Sequence, residues 1–304
     1  MTTTEQCIDH LIKRVPGVHA IALCGSHRQG IADDFSDRDV WSLCDNRQPI
    51  SDHLAVTEFL PTGTRHEILF EGRDDTLTDH TVLNVLTDTE ILNLKFLHVS
   101  VLTDFCRQPV SLDPQYLEDL ENFTSMRRLH DPAGLIARHQ RRLTRHARNI
   151  ADPLLTQILS RYGSTYWRSV YQGVLRTEEH AWRHLATHLI ELLAWAAFIE
   201  SGELPPPRKW LFSPRLLHSR PQGPALSALL DQVQHVRATE TDTVLDFYRS
   251  LAETEDAVFT DTQQTMGMWW RAVFSQRLPN LARHLDRDDL NAYVARAPRP
   301  RSTR

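Results

Sequence analysis

Apolar and polar residues are patterned differently in the two parts of this chain. Before residue 87, short apolar runs bounded by turn residues predict four strands, at 18–24, 39–44, 64–71 and 80–86. In the same part, apolar residues at helical spacing predict helices at 5–15 and 51–59. The first part of the chain therefore predicts a small domain of mixed helix and strand.

After residue 87, helical spacing replaces the strand pattern. The sequence TDTE at 87–90 matches a capping box, in which the first and fourth side chains bind backbone N–H groups at a helix start, and it predicts a helix over 87–105. From 109 to 291 the pattern is helical almost throughout. We therefore expect an α+β protein with a mixed-sheet catalytic domain at 1–108, an all-α helical-bundle domain at 109–296 and a flexible tail at 297–304.

Candidate chemistry is concentrated at the ends of the first two predicted strands. Gly25-Ser26 ends the first apolar run in a tight turn, and Asp37 and Asp39 open the second run. Side chains alternate along a strand, so both carboxylates project from the same face. Two neighbouring carboxylates repel each other and are stable as anions when a cation lies between them. Hard oxygen ligands with room for phosphate oxygens and water suit Mg²⁺.

The spacing of these residues resembles the signature of the DNA polymerase β-like nucleotidyltransferase superfamily. The resemblance implies a small mixed sheet in which the Gly-Ser turn holds the triphosphate of ATP or another nucleoside triphosphate. It implies that the aspartates bind Mg²⁺ and that a nucleoside monophosphate passes to a hydroxyl, with release of pyrophosphate. A surface turn followed by an exposed aspartate pair is the alternative. The matching positions are Gly25, Ser26, Gly30 and Ser36 for the nucleotide, and Asp37 and Asp39 for metal binding and catalysis.

The same resemblance implies a third carboxylate, supplied by a later strand, that completes the metal site or takes the proton of the acceptor hydroxyl. Glu67, in the predicted strand 64–71, is the best placed residue for this catalytic and metal-binding role, and a solvated strand residue is the alternative. In the predicted strand 80–86, the slot for such an acid falls near Asn84. Asparagine is a poor metal ligand and no base, so with Asn84 in the slot the protein is expected to be slow or inactive.

Two further segments resemble the antibiotic group of this superfamily, which modifies aminoglycosides and lincosamides and has a helical domain after the catalytic domain. They are LHDPAG at 129–134 and GELPPPRKWLF at 202–212. This resemblance implies that AMP passes from ATP to a small polar acceptor with a hydroxyl, such as an antibiotic, and hence a role in antibiotic resistance. It also implies that Lys209 binds a nucleotide phosphate, for which an exposed lysine is the alternative.

The predicted helix at 134–149 has one apolar face and one cationic face, because it carries five arginines beside apolar residues. Such a cationic face either binds phosphates or an RNA backbone, or is a solvated surface balanced by nearby acids. The first interpretation suits a different acceptor, since toxins of the superfamily transfer the nucleotide to tRNA or protein. A further alternative, which Asn84 would suit, is a nucleotide-binding regulatory protein without turnover.

Composition and charge restrict the class of protein. The 304 residues are 41% hydrophobic and 24% charged, as in an ordinary globular protein, and no apolar run approaches the ~18 residues of a membrane span. The amino end lacks a signal-peptide pattern, so we expect a cytoplasmic protein. The net charge of −5 argues against nucleic-acid binding through the overall field but leaves local patches open. The four cysteines show no paired zinc spacing, and Cys24 and Cys44, which fall inside predicted strands, are expected to be small buried hydrophobes rather than a disulfide.

Overall fold

The computed structural model describes residues 3–15, 17–30, 32, 36–45, 65–74, 80–206, 208–213, 220–258, 288–289, 292 and 295. The predicted helix at 51–59 and the predicted tail at 297–304 lie outside these residues. The chain forms two compact units, Met1–Ile150 and Ala151–Arg304. The prediction of an α+β protein is confirmed, because the first unit contains a mixed sheet and the described part of the second unit is helical.

A six-stranded sheet forms the centre of the first unit. Its strands are β1 (Val18–Leu23), β2 (Arg38–Cys44), β3 (His66–Asp74), β4 (His80–Thr87), β5 (Ile91–His98) and β6 (Arg127–His130). They lie in the order β3-β4-β5-β2-β1-β6, and every neighbouring pair is antiparallel except β2 with β5, which is parallel. The sequence predicted β1 to β4 but neither β5 nor β6.

One face of this sheet is covered by the first helix. The helices of the first unit are α1 (Thr3–Arg14), α2 (Gly25–Gln29), α3 (Val101–Phe105), α4 (Pro114–Ser125) and the start of α5 (Leu135–Val170), which continues into the second unit. Cys7 and Leu11 of α1 pack with Val40 and Leu94 of the sheet in one buried cluster. Burial of one such aliphatic side chain stabilises the fold by about 1.5–3 kcal/mol, so this cluster anchors the strands that carry the candidate residues.

Aromatic side chains cover the opposite face of the sheet. The ring centroids of Trp41 on β2 and Phe123 on α4 lie 5.2 Å apart, and Phe123 also contacts Phe105 of α3 at 5.2 Å. Asp113 begins α4, because its side chain accepts the backbone N–H of Gln115 at 2.8 Å. These contacts place α4 against the face from which Asp39 projects, since Asp39 and Trp41 are two residues apart on the same strand.

The predicted helix over 87–105 is wrong. The chain instead makes a turn after β4, forms strand β5 and then the short helix α3. Thr87 Oγ1 accepts the backbone N–H of Glu90 at 3.1 Å, as a cap would, but it closes the turn between two strands. The Glu90 side chain accepts the N–H of Thr4 at 3.1 Å and forms an ion pair with Arg38. The acid of the apparent capping box therefore binds α1 and β2.

The described part of the second unit is a bundle of helices around buried aromatic residues. After α5 come a π-helical turn (Tyr171–Leu175), α6 (Glu179–Glu200), a 3₁₀ turn (Arg208–Trp210), α7 (Gly223–His235) and α8 (Thr241–Val258). In its core, Trp182 Nε1 donates to the Tyr248 hydroxyl at 3.1 Å, which donates to Ser169 Oγ at 2.8 Å. These buried hydroxyls and the indole N–H are thus hydrogen-bonded to one another.

The division between the two units falls after Ile150, whereas the sequence predicted a domain boundary after residue 108. The segment between these positions belongs to the first unit because β6 pairs with β1 and α4 packs on β2. Across the described residues, no helix combines the length and the apolar character that a membrane crossing requires.

The prediction that Cys24 and Cys44 are small buried side chains rather than a disulfide is confirmed. All four are free thiols; Cys7, Cys24 and Cys44 are buried, and Cys106 is partly exposed. Burial raises the pKa of Cys7 to about 12 and that of Cys44 to about 12. These two thiols therefore stay protonated and unreactive at neutral pH.

Candidate active site

Asp37 and Asp39 lie together at the start of β2, and a single side chain holds both. In the parallel pairing of β2 with β5, Asp39 is directly opposite Asn93. Asn93 Nδ2 donates to Asp39 Oδ1 at 2.9 Å and to Asp37 Oδ2 at 3.3 Å. The amide N–H₂ group therefore lies where the two carboxylates meet and stabilises both of them.

The turn at Gly25 is in direct contact with this pair. Gly25 has a φ of +66°, in the left-handed region, and a Cβ built on it would lie 2.0 Å from Asp39 Oδ2. The backbone N–H of Cys24 donates to the carbonyl of Asp39 at 2.9 Å, which fixes the end of β1 to the start of β2. Only glycine fits at position 25 with this backbone, because any side chain would collide with the carboxylate.

The predicted nucleotide-binding residues Ser26, Gly30 and Ser36 lie on or beside α2. Ser26 is buried within the helix, and its carbonyl accepts the N–H of Gly30, which ends the helix with a φ of +70°. His27 Nε2 and the carbonyl of Ser36 lie 3.3 Å apart in a hydrogen bond that ties α2 to the approach to β2. The structure thus brings the Gly-Ser turn, Ser36 and the aspartates into one place.

Glu67 is not part of this group. It lies on β3 with an exposed side chain, and β4 and β5 separate β3 from β2. At the usual spacing of neighbouring strands, three steps across the sheet amount to about 14 Å. The structure therefore corrects the expectation that Glu67 completes the metal site beside Asp37 and Asp39.

Asn93 takes the place beside the aspartates that the sequence assigned to Glu67 or Asn84. Asn84 pairs with Asn93 across β4 and β5, so it lies one strand further from Asp39 on the same face. The sequence did not point to Asn93 because 87–105 was expected to be helical. The available signal was the alternation in ILNLKFLH, which places the polar Asn93 and Lys95 on one side of a strand.

The donor atoms around the pair fit a Mg²⁺ ion that takes most of its ligands from phosphate and water. Asp37 and Asp39 would supply two carboxylate oxygens. Asn93 Oδ1 is buried and has no hydrogen-bond partner among the described residues, and it would supply an amide oxygen after the amide rotates, because Nδ2 is the atom that faces both carboxylates. Within the same residues, no three Asp, Glu, His or Cys side chains are grouped so as to hold a metal. A metal bound here would therefore have two charged protein ligands.

Charged residues of both signs lie close enough to Cys24, at the end of β1, to shift its pKa. Burial raises the pKa of Cys24 well above its usual value, and the anions Asp39 and Glu121 raise it further, whereas the cations Lys95 and Arg28 lower it. Lys95 follows Asn93 by two residues on β5 and so shares its face of the sheet. Lys95 and Glu121 are therefore charged residues near the candidate site to which the sequence did not point.

Lys209 belongs to the second unit. It lies in the 3₁₀ turn Arg208–Trp210, and its side chain is outside the described part of the structure. Its neighbour Arg208 donates to both carboxylate oxygens of Glu191, at 2.9 and 3.0 Å. The binding of a nucleotide phosphate by Lys209 stays a prediction.

No family model and no curated protein matches this chain. Among solved structures, the chain is similar to the crystal structure of a nucleotidyltransferase-like protein from Exiguobacterium sibiricum 255-15. The TM-score is 0.41 and the sequence identity is 13%, over 96% of this chain and 88% of that chain.

Proposed function

We propose that this protein is a Mg²⁺-dependent nucleotidyltransferase that moves a nucleoside monophosphate, AMP from ATP, onto an acceptor hydroxyl and releases pyrophosphate. The observation that carries the proposal is the convergence of Asp37 and Asp39 on one amide nitrogen, with the Gly25 turn against Asp39. Two carboxylates held together beside a glycine turn make a site for a cation and its phosphate ligand.

In the proposed reaction, the acceptor oxygen forms a bond to the α-phosphorus of ATP as the bond to the bridging oxygen of the leaving pyrophosphate breaks. A bound Mg²⁺ would neutralise charge on the phosphate oxygens. Asp37 and Asp39 would hold that ion, and the Gly25 backbone would allow phosphate to approach closely. In this proposal the proton of the acceptor hydroxyl passes to water.

The acceptor proposed from the sequence is a small polar molecule with a hydroxyl, such as an aminoglycoside or lincosamide antibiotic. The alternatives are tRNA and protein. All three present a hydroxyl nucleophile, so the chemistry at the aspartates is the same for each. The acceptor is decided by surfaces outside the aspartate pair.

A second candidate function is nucleotide binding without turnover. It is favoured by Asn93, because an amide stands beside Asp39 where an acid would bind metal more strongly and accept a proton. This candidate predicts that ATP binds while pyrophosphate release stays at the uncatalysed rate.

The deciding experiment is incubation with labelled nucleoside triphosphates, Mg²⁺ and a panel of acceptors that includes antibiotics and tRNA. Pyrophosphate release and labelled product are measured for the wild type and for the Asp37→Asn/Asp39→Asn variant. The proposal expects wild-type transfer that the variant lacks. ATP binding without transfer to any acceptor would favour the second candidate, and a wild type that binds no nucleotide would exclude both.

A further inference from the structure

A large cationic groove lies at the edge of the first unit's sheet, apart from the aspartate pair. It has a volume of about 990 Å³. Its walls are the carboxyl end of α4, strand β6 and the first turns of α5, with one residue from α2. The described residues that line it include no carboxylate. Its charged side chains are five arginines, Arg28, Arg127, Arg128, Arg141 and Arg145.

Strand β6 supplies two of these arginines beside the Gly-Ser turn. Arg127 and Arg128 pair with residues at the end of β1, where α2 begins, and Arg28 lies on α2 itself. Strand β1 separates β6 from β2, the strand of Asp39, so β6 lies on the order of 10 Å from β2. The groove therefore begins close to the candidate site without including the aspartates.

Helix α5 supplies the opposite wall. Arg141 and Arg145 are four residues apart, so they lie on one face of the helix, one turn from each other. Between them and β6, Gln140 Nε2 donates to the carbonyl of Met126 at 2.6 Å. This hydrogen bond holds α5 against the start of β6, so the two groups of arginines keep a fixed separation.

The five arginines of the groove form no salt bridge with an acid in the described part of the chain. All five are exposed. Burial lowers the pKa of His139 and of His146 on α5, and the Arg142 cation lowers both further. This part of α5, residues 135–150, contains five arginines and no Asp or Glu, in a chain whose net charge is −5.

The lining chemistry suits phosphates better than bases. A guanidinium group binds phosphate oxygens with two parallel hydrogen bonds. Thr124, Ser125 and Thr144 are among the other residues that line the same groove. The described lining contains no aromatic side chain on which a base would stack.

We propose that this groove binds the phosphodiester backbone of a nucleic-acid acceptor whose terminal hydroxyl is presented to Asp37 and Asp39. The role of acceptor rests on the proposed function, whereas backbone binding does not. Five cations in an open groove match several successive phosphates of a chain, and the short distance to β2 allows the end of the same chain to reach the aspartates.

The test measures fluorescence anisotropy with labelled single-stranded RNA and DNA of one sequence, in EDTA and without nucleotide. The groove variant is Arg141→Gln/Arg145→Gln. The matched control is Arg161→Gln/Arg168→Gln, which removes the same charge from exposed positions on the same helix. We expect the groove variant to bind at least tenfold more weakly and the slope of log K against log salt to fall by about 1.4, or ~0.7 for each lost phosphate contact.

The control variant is expected to bind within twofold of the wild type. Equal binding by the wild type and the groove variant would overturn the proposal, and so would displacement of the labelled strand by polyglutamate as effectively as by unlabelled RNA. Comparison of the RNA and DNA arms identifies which nucleic acid is the ligand. Circular dichroism confirms that each variant is folded.

The experiments distinguish failure of the groove proposal from failure of the proposed function. The Asp37→Asn/Asp39→Asn variant is expected to bind the labelled strand at least as tightly as the wild type, since only negative charge is lost, yet to transfer no nucleotide. Groove-dependent binding without transfer by the wild type would refute the function alone. Transfer to antibiotics with groove-independent binding of nucleic acid would refute the groove proposal alone.

Discussion

At the scale of single residues, the candidate site depends on a close contact between Gly25 and the Asp39 carboxylate, which only glycine allows. Gly25 adopts a φ of +66° with Asp39 Oδ2 2.0 Å from the position of a Cβ. Gly30, at the other end of α2, has a φ of +70° and nothing within 4 Å of that position. The two glycines therefore share the backbone conformation. They differ in that a carboxylate lies against the Cβ position of Gly25 and not against that of Gly30.

This difference makes the pair a matched test. Gly30→Ala should lower the free energy of unfolding by about 1–2 kcal/mol, the cost of a left-handed alanine. Gly25→Ala should cost more, because the new methyl group also displaces the Asp39 carboxylate, and it should abolish nucleotide transfer. Thermal unfolding and the transfer assay measure both effects. Equal losses of stability and of transfer activity in the two variants would show that the contact between Gly25 and Asp39 contributes to neither.

The positions of the two aspartates were predictable from the sequence, whereas that of Asn93 was not. Alternation along one strand is a local property, and it placed Asp37 and Asp39 on a common face. Which residue lies beside Asp39 depends on the pairing of β2 with a strand more than 50 residues away, as the Asp39–Asn93 bond shows. Side-chain patterns within one segment contain no information about such a partner.

At the scale of elements, strand β5 supplies the residue that lies beside the two aspartates, Asn93. It lies between β2 and β4, so its Asn93 connects the aspartates to Asn84 in one row across the sheet. The sequence predicted a helix here because TDTE satisfies a local capping rule. Pairing with two strands overrode that rule, since Leu92, Leu94 and Phe96 alternate into the core that α1 covers.

Asn93→Asp tests the role of this row. The substitution should lower the free energy of unfolding in EDTA by about 1.5–3 kcal/mol, because it removes the hydrogen bonds that the amide donates to two carboxylates and adds a third anion. Mg²⁺ should then raise the unfolding temperature of the variant more than that of the wild type, since three carboxylates bind the ion more strongly.

The control for this change is Asn84→Asp, which adds the same charge on the same face one strand further from Asp39. Its response to Mg²⁺ should lie closer to that of the wild type. A Mg²⁺-induced shift of the same size in the wild type, Asn84→Asp and Asn93→Asp would contradict the assignment of Asn93 to the metal site. The readout is thermal stability and does not depend on turnover.

At the scale of the whole molecule, local patterns in the sequence predicted the secondary-structure class of each unit correctly. They did not predict the position of the boundary between the two units. Helical spacing after residue 109 correctly predicted the described bundle of the second unit. The boundary moved to Ile150 because Arg127–His130 pairs with β1, about a hundred residues earlier in the chain. Net charge was similarly uninformative about the groove, since a total of −5 coexists with five arginines in one place.

Nucleotide binding should be visible in the stability of the intact protein. A ligand that binds only the folded state adds RT ln(1 + [L]/Kd), or about 2.7 kcal/mol at a concentration of 100 Kd. We therefore expect ATP with Mg²⁺ to raise the unfolding temperature of the wild type, in differential scanning calorimetry, and to have little effect on Asp37→Asn/Asp39→Asn. ATP in EDTA should stabilise the wild type less, because the metal would link the carboxylates to the phosphates.

The matched control is Asp9→Asn/Asp104→Asn, which removes two carboxylates that form exposed helix pairs with Lys13 and Arg107. Such pairs contribute little to stability, so this variant should keep the response of the wild type to ATP and Mg²⁺. An equal response in all three proteins would place the nucleotide away from Asp37 and Asp39. Because the measurement requires no acceptor, it tests the nucleotide site under both candidate functions, the transferase and the non-catalytic binding protein.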